Sequence, residues 1–450
     1  MVRRTFAMET IEHEFNLDHS RLLFVRDAFQ QEIQKMMRNE ASSLTKQPYY
    51  LPKASGNETG LAATLDLGGS HVRAHLIELK GNGATNWLSN VKRPLRGQEG
   101  EKNCLTDQSS AEQLFDMQAQ TLAMLKADSS AGPIPLGYVF SYPVIQTSLN
   151  YALLVRWAKE IKTPGVEGRD VVNLLKQALV RNNLDKQFIP KLVMNDTIGT
   201  FMAAAYSYPD TTIGSVIGTG YNACFLQPAA EEAHGEGKII NLECGNFDKV
   251  PTTYYDALLC QQSSAPGSQK LEKMVSGHYL GELFRLIIID TVTQDRSGRP
   301  QNYGKLFQPH SIDTSELSII IGDDRAELIA IKEWSLNRLA IHLDFDERRR
   351  WHSLAVMVAK RSASLVAATY AAIIYHIDPH GTRNHVIAVN GSLYEKMPGY
   401  KEWLSDALYR LLTKAQGNKV VIRGCPEGPA LGAAVAVCML AQSEASLGFV

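Results

Sequence analysis

The chain has 450 residues, 44% hydrophobic and 21% charged, with a formal net charge of -1 and a pI near 6.9. That length exceeds one ordinary core and predicts two domains, while the apolar fraction supplies a sizeable interior. The near-neutral balance removes the electrostatic case for a nucleic-acid partner or an anionic membrane surface. Cys104, Cys224, Cys244, Cys260, Cys425 and Cys438 form no CxxC pair and keep no regular spacing. They read as reduced thiols of a cytosolic protein, not as a disulfide or zinc framework. No apolar segment follows Arg3 and Arg4, which argues against a secretory signal. The most apolar stretches, 365–377 and 433–441, are shorter than a bilayer span and read as buried helices, so no membrane span is expected.

In chain order, residues 1–50 are rich in charge, with Leu22, Leu23, Val25, Phe29, Ile33, Met36 and Met37 near helical spacing. A polar connector follows over 49–60. Residues 61–67 are mostly apolar and end in Gly68-Gly69-Ser70; from Val72 the chain alternates apolar and polar, so a strand, a glycine turn and a second strand are expected. Val171, Leu174, Leu175, Ala178 and Leu179 mark one amphipathic helix. Leu192-Val193-Met194 runs into Asn195-Asp196-Thr197 and then small and apolar residues, a buried strand whose end opens a helix. The strand–glycine–strand pattern returns at 213–226 around Gly218-Thr219-Gly220, and a weaker third copy leads from 386–389 into Asn390-Gly391-Ser392. Residues 309–345 are mixed; 346–377 read as one long or two abutting helices; a packed helix runs from Gly432. Strands alternating with helices give an α/β protein.

Three features carry chemistry. Ligands of open α/β sheets bind beyond the carboxyl ends of strands, so Asp196 is placed to face a crevice and to take a proton from a substrate hydroxyl. Its competing reading is a helix cap, since Asp and Asn are the favoured capping residues. The turns Gly68-Gly69-Ser70 and Gly218-Thr219-Gly220 leave backbone N–H groups open to phosphate, with Ser70 and Thr219 adding hydroxyls; neither is a Walker loop, and each alone reads as a hairpin turn. Asp66, ending the first strand, suits a hydrated Mg²⁺ or a turn-stabilising role.

Six motifs then resemble the hexokinase family, in order and with its spacing, from about residue 50 to the C-terminus. Leu65-Asp66-Leu67-Gly68-Gly69-Ser70-His71-Val72-Arg73 is similar to the family's first phosphate motif. Phe140-Ser141-Tyr142-Pro143 resembles its sugar-binding segment, and Asn195-Asp196-Thr197-Ile198-Gly199-Thr200 its catalytic segment. Ile217-Gly218-Thr219-Gly220-Tyr221-Asn222 resembles the second phosphate turn with a sugar ligand. Asn241-Leu242-Glu243-Cys244-Gly245 and the run from Pro266 to Gly277 match two further hallmarks.

The resemblance implies two actin-like (ribonuclease H-like) α/β lobes around a sugar and ATP cleft that closes on the sugar. A helical segment and connector over 1–60 would precede a small lobe of 61–194 with the helix 432–450, and a large lobe of 195–431. It implies an ATP- and Mg²⁺-dependent hexose 6-kinase, with a glucose-like hexose as partner and a monomer or weak homo-oligomer as the assembly. Asp196 would be the base. Ser141, Lys159, Asn195, Asn222, Glu243, Gln269 and Glu272 would bind the sugar, whose hydroxyls both donate and accept. Asp66, Gly68, Gly69, Ser70, Arg73, Gly218, Thr219, Gly220, Gly391, Ser392 and Gly428 would line the nucleotide side, with Asp66 on the metal.

Most departures from the family pattern fall on that nucleotide side. Ser70 and His71 stand where Thr and Asn are usual, Asn390 where Asp is usual, and Glu427-Gly428-Pro429-Ala430 where the run is Asp-Gly-Ser-Gly. Pro429 removes an N–H and Ala430 adds a Cβ at the adenosine loop. Ala158 replaces the hydroxyl residue beside Lys159, next to a one-residue insertion. Two other readings therefore stand beside the hexose kinase: a kinase for a modified hexose such as N-acetylglucosamine, and a sugar-binding regulator that has lost turnover.

Overall fold

Asp18 accepts a hydrogen bond from the Arg21 N–H and starts the second of two N-terminal helices, α1 (Met8–Phe15) and α2 (His19–Met37). The computed structural model describes residues 8–97, 103–127, 132–157, 161–229, 237–293 and 303–446. After the short strand β1 (Gln47–Pro48) come β2 (Thr59–Leu67), β3 (His71–Gly81) and β4 (Ala84–Pro94). Helix α3 (Ala111–Ala123), β5 (Ile134–Phe140), the hairpin β6 (Val144–Ser148) and β7 (Tyr151–Leu154), α4 (Val171–Arg181) and β8 (Phe188–Met194) follow. The next stretch holds α5 (Asp196–Ser207), β9 (Thr211–Ile217), β10 (Tyr221–Gln227) and β11 (Lys238–Asn241). A helical run comprises α6 (Tyr254–Gln262), α7 (Lys270–Val275), α8 (Leu280–Thr293), α9 (Thr314–Ile321), α10 (Ile329–Trp334) and α11 (Phe345–Ile377). The chain ends with β12 (His385–Asn390), α12 (Ser392–Lys396), α13 (Tyr400–Leu411), α14 (Lys414–Gly417), β13 (Val420–Gly424) and α15 (Gly428–Ser446).

Two sheets organise these elements. One has the order β4-β3-β2-β5-β8 and the other β1-β11-β10-β9-β12-β13. Each contains an antiparallel hairpin closed by a glycine turn, β2–β3 and β9–β10, beside parallel strands. Helices α3 and α4 cover one face of the first sheet around Phe115, Tyr138 and Leu175. The second sheet shares its core with α11 and the two N-terminal helices. Arg361 of α11 forms a bidentate pair with Asp256 of α6 at 2.8 and 2.6 Å, and its guanidinium lies 4.1 Å from the centre of the Phe15 ring. Both charges are buried, so removing either partner would strand the other at about 3–5 kcal/mol.

Between the sheets, α5 and α15 cross in a third cluster with Ile198, Met202 and Ala433. The crossing is set by two glycines. A Cβ on Gly432 would stand 1.8 Å from the Gly199 carbonyl oxygen, so the backbones approach to a distance that no side chain permits. The C-terminal helix begins at Gly428, four residues before the expected start. Pro429 is its second residue; the first-turn N–H groups of a helix have no intrahelical acceptor, so proline costs the helix nothing there.

One open alternative is resolved and one further expectation changes. The expected helical stretch from 346 to 377 lies in one continuous 33-residue helix, α11, opened by a capping box in which Asp344 and Glu347 satisfy each other's N–H groups. That helix is long and apolar enough to cross a membrane, but its most apolar window is 89% buried in this protein, and its surface is occupied by packing. The third glycine turn does not join two strands, because β12 runs straight into α12. Gly391 has φ +127°, and a Cβ there would meet the Ile217 carbonyl oxygen at 2.4 Å, so this turn is pressed against the end of β9. Parallel pairing of β12 with β9 and β13 requires a crossover, which a hairpin cannot supply.

Candidate active site

The segment Asn195–Thr200 opens α5. Asn195 is its N-cap: the Oδ1 atom accepts from the Thr197 N–H at 2.9 Å and from the Thr197 hydroxyl at 2.6 Å. Asp196 is thereby relieved of the capping role and stands half-buried in the first turn, at the positive end of the helix dipole. The cap and the adjacent carboxylate divide the two readings of this stretch between them.

Behind this turn lies a closed set of amides and one carboxylate. Asn241, 3% exposed at the end of β11, accepts from the Thr197 hydroxyl at 3.1 Å and from Asn222 Nδ2 at 3.0 Å. Its own Nδ2 donates to Glu243 Oε1 at 2.8 Å and to Gln47 Oε1 at 3.0 Å. Asn222 Nδ2 reaches the same Glu243 oxygen at 3.1 Å, while its Oδ1 accepts the N–H groups of Ala223 and Cys244. Glu243 itself has φ 51°, a left-handed conformation held by the tight turn at Cys244–Asn246. Asn241, Thr197 and Gln47 were not among the expected site residues. The Asn-x-Glu spacing on a strand end, which puts both side chains on one face, was the available signal for Asn241.

Glu272, in the first turn of α7, accepts the Tyr221 N–H at 2.9 Å and packs against Gly220 and Gly245. It thus joins the second glycine turn to the Glu243 segment. Gln269 sits at the head of α7 in a left-handed conformation, φ 53°. The loop before it is tied down by Lys273, whose Nζ donates to the carbonyls of Ala265 and Ser268 at 2.6 and 2.7 Å. Ser141 lies half-buried between β5 and β6. Lys159 and Ala158 lie outside the described residues.

Among the residues expected on the nucleotide side, Asp66 lies at the end of β2 opposite Arg73, which donates to it at 2.9 Å. The Gly68 N–H bonds the His71 carbonyl, closing the turn, and Ser70 Oγ and His71 Nδ1 are hydrogen-bonded at 2.8 Å. Burial, with Lys92 and Arg73 adding to it, pushes the His71 imidazole below the ordinary histidine range. Gly218 is gripped from behind, its carbonyl accepting the Gly277 N–H at 2.8 Å, and it faces Gly391 and Ser392. Thr219 is exposed at the tip of its turn. Gly428 begins α15 beside Thr200. The structure therefore groups Gly218, Gly391 and Ser392 at one place and Gly428 against α5.

Tyr142 ties the two sides. Its hydroxyl donates to the Gly68 carbonyl at 2.7 Å. Burial, followed by the nearby Asp66 and Asp196 carboxylates, raises its phenol well above the usual tyrosine range. Both carboxylates therefore lie near enough to Tyr142 to act on its phenol. Among the described residues no group of three His, Cys, Asp or Glu side chains is arranged to hold a metal, and no disulfide joins any of the six cysteines. A single carboxylate suits Mg²⁺ that arrives on nucleotide phosphates with most of its water, and Asp66 fits that donor set.

Comparison with known proteins agrees with this geometry. The hexokinase family matches in two parts, over residues 7–206 and 212–439. The chain is 30% identical to the hexokinase of Kluyveromyces lactis over 98% of its own length and 92% of that protein. It is 30% identical to hexokinase-1 of Saccharomyces cerevisiae, over 94% of this chain and 90% of that one. The structure of the hexokinase from Schistosoma mansoni complexed with glucose superposes with a TM-score of 0.82 at 28% identity, covering 96% of this chain and 97% of that one. The chain belongs to the hexokinase family: it is a two-lobed, actin-like enzyme that phosphorylates a hexose with ATP.

Proposed function

We propose that the chain phosphorylates the 6-hydroxyl of a glucose-like hexose, with Asp196 as general base. The observation that carries this is the pairing of a cleft-facing carboxylate, freed from capping by Asn195, with the Asn222–Asn241–Glu243 set beside it. Asn195, Asn222, Glu243, Gln269 and Glu272, with Ser141 and Lys159, bind the sugar hydroxyls. Asp196 accepts the 6-hydroxyl proton as that oxygen bonds the terminal phosphorus of ATP and ADP departs. A positioned base of this kind is worth about 10²–10⁴-fold. Backbone N–H groups of the turns at Gly68–Ser70 and Gly218–Gly220, with Arg73, Gly391, Ser392 and Gly428, hold the nucleotide. Mg²⁺ bound with it beside Asp66 would neutralise phosphate charge.

Closure of the lobes over the sugar excludes water that would otherwise take the phosphate. The reading extends to a cytoplasmic enzyme, monomeric or weakly associating, that feeds a hexose 6-phosphate to glycolysis. The near-neutral composition and the free cysteines support it. A coupled ADP-release assay with glucose, mannose, fructose and N-acetylglucosamine tests the substrate. Glucose should give the highest kcat/KM, with the phosphate on O6 by NMR of the product; turnover of N-acetylglucosamine alone would overturn the assignment.

A further inference from the structure

His75 lies on β3 two residues beyond Arg73, on the face turned toward α15. It is 5% exposed, and neither ring nitrogen has a hydrogen-bond partner among the described residues. Directly across the strand pair is Thr64, fully buried, whose hydroxyl is also without a partner. Buried polar atoms of this kind cost stability and are rare, so three in one spot need a reason. Trp87 of β4 closes the far side, edge-on to the imidazole at 5.2 Å. The open side holds Glu427. Its Oε2 stands 3.8 Å from His75 Nε2, just beyond a hydrogen bond, and its side chain is 55% exposed. Glu427 has φ 54° and immediately precedes Gly428, where α15 begins against α5.

We propose that His75 and Glu427 form a proton-dependent latch at the cleft end of α15, which removes a negative charge from the nucleotide side of the site when the imidazole is protonated. The inference rests on reading the start of α15 as part of that nucleotide side. A neutral imidazole offers a weak partner and leaves the carboxylate extended toward solvent. An imidazolium beside a carboxylate draws it in through a charge-assisted bond, which shortens to about 2.7–2.9 Å. An unpaired Glu427 repels an incoming triphosphate; a paired one does not. The charged groups facing His75 are Glu427, which favours the proton, and Arg73, which opposes it; Thr64 and Trp87 do not titrate. Burial is the largest influence and holds His75 below the ordinary histidine range. The latch is therefore open at neutral pH and closes in acid.

The test uses the full chain in two measurements. The first follows the imidazole nitrogen resonances of His75 with pH, without nucleotide, in the wild type and in Glu427→Gln. Loss of the carboxylate should move the His75 midpoint further into the acid by about half a unit or more. An unchanged midpoint overturns the latch. The second measures the ATP KM at pH 7.5 and 5.5 in the wild type, Glu427→Gln and His75→Leu. ATP's own titration is common to all three and cancels in the comparison. Relative to His75→Leu, which should stay at the weaker value, wild-type KM should fall roughly two- to fivefold in acid. Glu427→Gln should hold the tighter value at both pH values. A coupled His75 midpoint with the same pH dependence of KM in all three proteins would overturn the nucleotide-side reading of α15 instead. Glu427 is on the surface, so Glu427→Gln keeps both measurements available even where His75→Leu folds poorly.

Discussion

Around Glu243 the polar groups answer one another: Thr197, Asn222, Asn241 and Gln47, from α5, β10, β11 and β1, join in one hydrogen-bonded set. Around His75 they do not: two ring nitrogens and a threonine hydroxyl lie buried without a hydrogen-bond partner among the described residues, and a carboxylate stands 3.8 Å from one of the nitrogens. The first arrangement fixes directions before a ligand arrives, which suits a sugar with several hydroxyls of defined orientation. The second leaves its electrostatics open to a proton and its contacts open to substitution. Most departures from the family pattern fall on this second side, at Ser70, His71, Asn390, Pro429 and Ala430. One side of the cleft is locked and the other is adjustable.

The largest effect expected is at the point where the two sides meet. Asp196→Asn should cut kcat by roughly 10²-fold or more while leaving hexose affinity, measured by calorimetry, within about twofold. Near-normal turnover would remove Asp196 from the base role. Next is the locked side itself. Asn241→Ala removes one hydrogen bond each from the Thr197 hydroxyl, the Asn222 amide and the Glu243 carboxylate, which keep other partners, and each bond lost is worth about 0.5–1.5 kcal/mol. Hexose KM should rise about 10- to 100-fold, with ATP KM moving less than about twofold. Equal changes in both constants would show that Asn241 supports the whole cleft and not its sugar side.

Much of this division was legible in the residues before any coordinates. The alternation around Gly68 and Gly218 gives both hairpins, and the apolar face from Val171 to Leu179 gives α4, capped by Asp170. Strand β4 was not legible: it is an edge strand with most side chains exposed or half-buried, so no apolar alternation marks it. The start of α15 was read four residues late because Pro429 looks like a breaker, although it is harmless in a first turn. Asp196, Asn222, Glu243 and Glu272 could be named from motifs. The Asn241 hub could not, because its partners come from positions 47, 197 and 222 and meet only through the fold. The unbonded state of His75 is likewise a property of packing and leaves no trace in a strand's alternation.

A smaller effect should follow from restoring the usual residues on the adjustable side. Pro429→Ser with Ala430→Gly returns one N–H at the head of α15, and a single hydrogen bond gained there would lower the ATP KM by about two- to fivefold. The hexose KM should not change. Ala430 is 2% exposed, so its loss in a helix should also cost about 0.5–1 kcal/mol of stability, readable as a lower Tm. An unaltered ATP KM with the lower Tm would mean that the loop meets the helix core and not the nucleotide.

The smallest effect tests whether the two sides communicate. Tyr142 follows Ser141 in the segment proposed to bind sugar, yet its hydroxyl donates to the Gly68 carbonyl in the turn proposed to hold phosphate. Tyr142→Phe keeps the ring, which packs against Phe140 and Trp157 with centroids 5.1 and 5.0 Å away, and removes the hydroxyl that makes that bond. Gly68 is half-buried, so water can replace the lost donor. The cost therefore belongs at the low end of the range for one hydrogen bond, about 0.5 kcal/mol or roughly two- to threefold. Its location is more telling than its size. A bond that merely braces the turn would raise the ATP KM equally with and without bound sugar. A bond that couples the sides would make ATP affinity depend on whether hexose is present, so the ratio of ATP affinities with and without a non-reactive hexose analogue should shrink toward one in Tyr142→Phe. Nucleotide titrations of both proteins, each with and without the analogue, give that ratio directly, and an unchanged ratio would leave the two sides of the cleft energetically independent.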